Sequence, residues 1–146
     1  MNQQREQGLV EKIITGIPGF DILSEGGLPV GRVTLVVGTA GAGKTVFASQ
    51  YLAEGIRRGE NGVFVTFEES PGRIRKNMRS FGWDISQWEE EGKWVFVDGS
   101  CQPGEKPLIS GEYDFNSLVA RIKYAINQVY AVRVSMDCLS AIFTYF

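Results

Sequence analysis

The sequence predicts an α/β fold built on a mostly parallel sheet. Three observations carry that prediction. Short β-rich apolar runs alternate with amphipathic helical stretches, the order of strand–helix–strand units rather than of a bundle or a sandwich. Two of those runs, Val33–Val37 (VTLVV) and Val63–Phe67 (VFVTF), are nearly continuous in apolar residues, the pattern of strands covered on both faces. Glycine accounts for 18 of 146 residues; that is about 12% against a typical ~7%, so backbone geometry is specified at several turns.

The elements follow in order. Residues 1–12 (MNQQREQGLVEK) read as a polar arm, and residues 13–146 as one folding unit. Ile13–Pro29 is rich in Gly and Pro and reads as turns around small apolar anchors. Strand Val33–Val37 leads into GTAGAGKT at Gly38–Thr45. A helix then starts near Gly43–Lys44 and runs to Arg58, with Phe47, Tyr51, Ala48 and Leu52 on a shared face and Gly59 as its stop. Strand Val63–Phe67 ends at Glu68-Glu69. Ser70-Pro71 opens a helix on which Ile74, Met78 and Phe81 share a face, ended by Gly82. Asp84 caps a short turn through Trp88 and the acidic run Glu89–Glu91. Trp94–Val97 is the next strand, and Ser100–Tyr113 a polar loop. Asp114 caps a helix carried by Phe115, Leu118, Val119, Ile122, Ile126 and Val129. The last strand, Val132–Met136, ends at Asp137, with CLSAIFTYF beyond it.

Composition excludes several chemistries. The chain has no His, which removes Ser-His-Asp hydrolysis, Cys-His nucleophiles and His-ligated zinc. Its two cysteines, Cys101 and Cys138, are too few for a Cys-only zinc site or a disulfide framework, and read as free thiols in a reducing cytoplasm. The first twelve residues contain no signal-peptide core, and no apolar run approaches the roughly 18 residues of a membrane span. A net charge of −2 weighs against broad nucleic-acid binding.

GTAGAGKT fits G-x-x-x-x-G-K-[ST] through Gly38, Gly43, Lys44 and Thr45, with Thr39, Ala40, Gly41 and Ala42 completing the loop. Its context is that of a phosphate-binding loop, after a buried-type strand and opening a helix. The glycines let backbone N–H groups curve around phosphate oxygens, and the helix N-terminus adds partial positive charge. Lys44 supplies a full charge to the β- and γ-phosphates, and the Thr45 hydroxyl can ligate Mg²⁺. Asp137, at the end of a strand, can hold a water of the Mg²⁺ shell, although an Asp in that place also serves as a helix cap. Glu68 and Glu69 end a strand on the side where open parallel sheets bind ligands. A carboxylate there can orient or deprotonate the water that attacks a γ-phosphate. The alternative use is to face the positive start of the Ser70 helix.

At these residues the sequence resembles the KaiC circadian-clock ATPase family, within the RecA-like P-loop ATPases. GFDILSEGGLPVGRVTLVVGTAGAGKT is similar to that family's leading loop, first strand and Walker A motif. GVFVTFEESPGRIRKNMRSFGWD is similar to its catalytic-glutamate strand and following helix. GKWVFVDGS and VRVSMDCLSAIF are similar to its third strand and Walker B segment. The resemblance implies a three-layer RecA-like sandwich, ATP and Mg²⁺ bound by Lys44, Thr45 and Asp137, and paired catalytic glutamates at Glu68 and Glu69. It also implies hexameric rings with ATP held between neighbouring subunits, and clock-protein partners. No segment matches the phosphorylation sites of the self-phosphorylating members, so the chain is similar to the first, ATP-hydrolysing repeat.

Domains of that family continue for roughly another hundred residues, in keeping with typical domain sizes. The sequence therefore reads as truncated after the Walker B strand. In the RecA-like sheet the strand after Walker B lies between the phosphate-loop strand and the Walker B strand. Without it, either those two strands pair directly and shift Asp137 relative to Thr45, or two buried-type edges stay open. Hydrolysis by the 146 residues alone is thus set against a non-catalytic nucleotide-binding or interaction fragment. A DNA-acting recombinase relative is disfavoured by the acidic balance, and a small-molecule kinase by the absence of an Arg-rich lid. Elsewhere, Trp83, Trp88 and Trp94 read as packing residues. Arg73, Arg75, Lys76 and Arg79 read as a solvated helix face, and Glu89–Glu91 as solvated surface.

Overall fold

A computed structural model describes residues 9–100 and 111–145. Its centre is a parallel three-stranded sheet in the order β4-β3-β5, with β3 at Gly62–Thr66, β4 at Trp94–Asp98 and β5 at Arg133–Asp137. Gly62 aligns with Trp94 on one side and Arg133 on the other, and Thr66 with Asp98 and Asp137. Every residue of β3 is buried, as its apolar run requires.

Helices cover both faces. Alternate residues of β3 point to opposite sides. Val63, Val65 and Phe67 pack with Leu118, Ala125 and Val129 of α5 (Gly111–Val129) and Ala141 of α6 (Leu139–Tyr145). Phe64 packs the other way, with Leu52 of α2 (Lys44–Arg57), Ile74 and Met78 of α3 (Pro71–Met78), and Ile85 of α4 (Ile85–Glu90). The result is the three-layer sandwich the sequence implies.

Local signals set the helix ends. Ser70 caps α3 by accepting from Arg73 N, and Asp84 caps α4 by accepting from Gln87 N. The tryptophans pack as expected, Trp88 stacking on Trp94 with ring centroids 5.9 Å apart. The leading segment folds against α2. Strand β1 (Lys12–Ile13) pairs antiparallel with β2 (Leu28–Pro29) around the short helix α1 (Phe20–Leu23). Asp21 ties this turn together, accepting from Thr15 N, Thr15 Oγ1 and Gly16 N. Burial pushes its carboxyl up, but those three bonds outweigh burial and hold it below the ordinary value.

Several expectations are corrected. Val33–Val37 forms no strand and is exposed throughout, Val33 at 95% and Val37 at 82%. An extended run becomes a strand only when a neighbour completes its hydrogen bonds, and no described strand pairs with it. β5 likewise pairs only with β3 among the described residues, so one of the two expected open edges is present, while Val33–Val37 offers no strand edge. Phe81 leaves the α3 face and is 51% exposed, because the helix gives way to a 3₁₀ turn over Arg79–Phe81 and Phe81 stacks on Trp83 instead. Helix α5 begins at Gly111, so Asp114 lies within the helix rather than ahead of its first residue. Glu89 is not merely solvated. It receives Arg75 Nε and Nη2 at 2.6 and 2.8 Å, while Arg75 lies over the Phe96 ring. Cys101 falls outside the described residues.

Candidate functional site

The Gly38–Thr45 loop and the carboxylates Glu68, Glu69 and Asp137 lie at the C-terminal ends of β3 and β5. Gly43 stands immediately before α2 with φ +90°, and Gly41 has φ +77°. L side chains rarely adopt such angles, and no atom lies within 4 Å of where a Cβ would project at either position. The loop is therefore an exposed backbone cradle at a helix N-terminus. Within it, Lys44 Nζ donates to the carbonyls of Gly38 and Thr39, both at 2.8 Å.

Behind the loop, the Thr45 hydroxyl donates to Asp137 Oδ2 at 2.5 Å. These residues are 92 positions apart; the loop brings one and the end of β5 the other. Both offer hard oxygen atoms, the donor type Mg²⁺ takes, so the residues fit that ion. Asp137 has not been displaced from Thr45 by the open edge of β5.

The glutamates flank this pair. Phe67 N donates to the Asp137 carbonyl at 3.0 Å, extending the β3–β5 pairing by one step. Glu68 follows directly, exposed, with Oε1 at 3.6 Å from Cys138 Sγ. Glu69 is half-buried; its carbonyl accepts from Thr66 Oγ1 and its carboxylate from Asn77 Nδ2 of α3. A depression of about 490 Å³ between α2 and α3 is lined by Thr45, Glu69, Lys76 and Asn77 among others. Asn77 carries no sequence signal, because an isolated Asn on a helix has no period to mark it.

Sequence reading also passes over the polar face of β5. Arg133 and Ser135 look like interruptions in an apolar strand, yet both are buried and satisfied. Arg133 is 1% exposed. Its Nη1 donates to the carbonyls of Ile14 and Tyr51, at 2.7 and 2.8 Å, and its guanidinium pairs with Glu60 and lies over the Tyr51 ring. Ser135 Oγ donates to the Ala48 carbonyl at 2.9 Å. The available signal was the period of two: positions 133, 135 and 137 are all polar, so one face of this strand meets polar groups.

A family model described as "ATPase: KaiC" matches residues 13–146. The chain belongs to the KaiC ATPase family. The circadian clock protein KaiC3 of Synechocystis sp. is 66% identical over 136 residues, which cover 93% of this chain and 27% of that protein. The circadian clock oscillator proteins KaiC of Synechococcus elongatus and Acaryochloris marina are 48% and 51% identical, over 97% and 92% of this chain and 27% and 26% of theirs. The chain thus spans about a quarter of the length of these KaiC relatives. No helix among its described residues is long and apolar enough to cross a membrane.

Proposed function

We propose that residues 13–146 form the N-terminal portion of a KaiC ATPase domain that binds Mg²⁺-ATP on the Gly38–Thr45 loop. The observation that carries this reading is the contact between Thr45 Oγ1 and Asp137 Oδ2 directly behind the loop. Loop N–H groups and Lys44 Nζ take the phosphates. Lys44 reaches them by exchanging its two loop carbonyls for phosphate oxygens, and the exposure of those carbonyls leaves them hydrated after the exchange. Thr45 and Asp137 would hold the metal, which when bound neutralises charge on the phosphate oxygens.

In the completed domain Glu68 or Glu69 takes a proton from a water whose oxygen attacks the γ-phosphorus. The bond to the β–γ bridging oxygen breaks, and ADP leaves with that electron pair. Glu68 is the freer of the two, because Asn77 already holds the Glu69 carboxylate. Assembly into a hexameric ring, clock-protein partners and a cytoplasmic location complete the proposal. They are supported by the family membership and by relatives named as circadian clock proteins.

A second reading concerns the 146 residues alone. Among the described residues no strand neighbours Val33–Val37, which leads into the loop; on this reading the chain binds nucleotide without turning it over. Calorimetric titration with Mg²⁺-ATP tests the binding, with Lys44→Ala expected to weaken it at least about tenfold through loss of a charge-assisted contact. Unchanged affinity in Lys44→Ala would refute the site. In the completed domain, undiminished phosphate release by a Glu68→Gln, Glu69→Gln double variant would remove the catalytic assignment.

A further inference from the structure

Strand β5 and helix α2 meet through three polar rungs rather than through apolar packing alone. Arg133 Nη1 donates to the Tyr51 carbonyl, Ser135 Oγ donates to the Ala48 carbonyl, and Asp137 accepts from the Thr45 hydroxyl. The strand advances by two residues per rung while the helix retreats by three. Those are the steps that keep one strand face and one helix face in contact. The first two rungs end on main-chain carbonyls, so they fix backbone against side chain, and neither depends on the phosphate loop.

The first rung is anchored well beyond the helix. Arg133 also reaches the Ile14 carbonyl and Glu60, which ties the leading segment and the turn after α2 to the same strand. Gly55 admits it: a Cβ there would stand 2.6 Å from Arg133 Cδ. Along the free edge of β5 no described strand helps to set its position. The rungs on α2 and the pairing with β3 therefore carry that task, and Asp137 is where both end.

We propose that Arg133 and Ser135 are positioning residues that set where the Asp137 carboxylate stands against Thr45, and so set the Mg²⁺ dependence of nucleotide binding. This rests on the reading of Thr45 and Asp137 as the metal-holding pair. Nucleotide binding without metal uses the loop and Lys44, which the Arg133 and Ser135 rungs do not touch, so the two quantities separate.

The test uses the 146-residue chain. ATP affinity is measured by titration in EDTA and across a Mg²⁺ series for the unsubstituted chain, Ser135→Ala, Ser135→Thr and Arg133→Lys, with a thermal melt of each. Outer-shell partners of metal ligands typically contribute 10–100-fold in metal affinity. Ser135→Ala and Arg133→Lys are expected to raise the half-effective Mg²⁺ concentration about tenfold. Binding in EDTA should stay within about twofold, and Ser135→Thr, which keeps the hydroxyl, should restore the parent value. An unmoved Mg²⁺ dependence overturns the proposal. So does an equal loss with and without Mg²⁺, or a chain that no longer folds on losing the Ser135 hydroxyl, since either marks a purely structural tie. If the unsubstituted chain binds ATP equally in EDTA and Mg²⁺, the metal pair itself is refuted and this inference falls with it. If only the variants behave like the parent, the inference fails and the site stands.

Discussion

Gly55→Ala sets two opposed effects against each other inside α2. Replacing a helix-interior Gly by Ala ordinarily gains about 1 kcal/mol in helix propensity. Here the new methyl would stand 2.6 Å from Arg133 Cδ, 2.8 Å from Nε and 3.0 Å from the Glu60 carbonyl, whereas carbon atoms rest about 3.5–4.0 Å apart. Arg133 cannot swing away cheaply, because Ile14, Tyr51 and Glu60 hold its guanidinium. Overpacking of this kind costs about 1–3 kcal/mol, and weakening one bond from a charged donor adds about 1.5–3 kcal/mol. The steric and polar losses outweigh the propensity gain, leaving a net destabilisation of about 3 kcal/mol. For a chain of this length that lowers Tm by about 9 °C. Far-ultraviolet circular dichroism melts of the two proteins at neutral pH measure it directly. A Gly55→Ala variant that melts at or above the parent temperature would show that Arg133 is not locked in place, and the reasoning built on it would fail.

Two further predictions concern the core and acid stability. Ile74→Ala should cost about 2–5 kcal/mol, the range for emptying a fully buried aliphatic site, because Ile74 is 0% exposed. Phe81→Ala, from the same apolar period but half-exposed, should cost under about 1 kcal/mol; similar losses in urea unfolding of the two variants would contradict the packing described. Glu54, 7% exposed, is held at about 2 by hydrogen bonds from Arg57 and Arg58 that outweigh burial. Its folded value lies below its unfolded one, so its contribution is complete above about pH 4.5 and drains away as pH falls toward about 2. Allowing for the exposure of Arg57, that contribution is about 2 kcal/mol. The Tm difference between the parent and Glu54→Gln should shrink steadily over that window, and a constant difference would refute the assignment.

What the sequence disclosed depended on the range of the interaction. Ser70 and Asp84 announced their helices because a cap acts within three residues. The Gly38–Thr45 loop, Glu68-Glu69 and Asp137 stand out in the sequence as a motif series; the register Thr66↔Asp137 brings the carboxylates together, and the Thr45–Asp137 contact brings in the loop. Val33–Val37 misled because its composition favours a strand while strand formation needs a partner elsewhere. Phe81 misled because the period assumed one continuous helix, and a change of helical pitch after Met78 turned it outward. Arg133 was hidden because charged residues are rarely buried unless fully paired. Its four polar partners come from positions 14, 51 and 60, and no local pattern joins those positions.

The rungs between α2 and β5 also impose an order in time. Thr45, Ala48 and Tyr51 are synthesised long before the strand that completes them, with 92 residues separating Thr45 from Asp137. At about 5–20 residues per second, that interval lasts roughly 5–20 seconds. Strands β3 and β4 precede β5 in the chain and can pair within it. Until β5 emerges the Ile14 carbonyl lacks its Arg133 donor, and helix α2 gains its polar contacts only after β3 and β4 are available to pair.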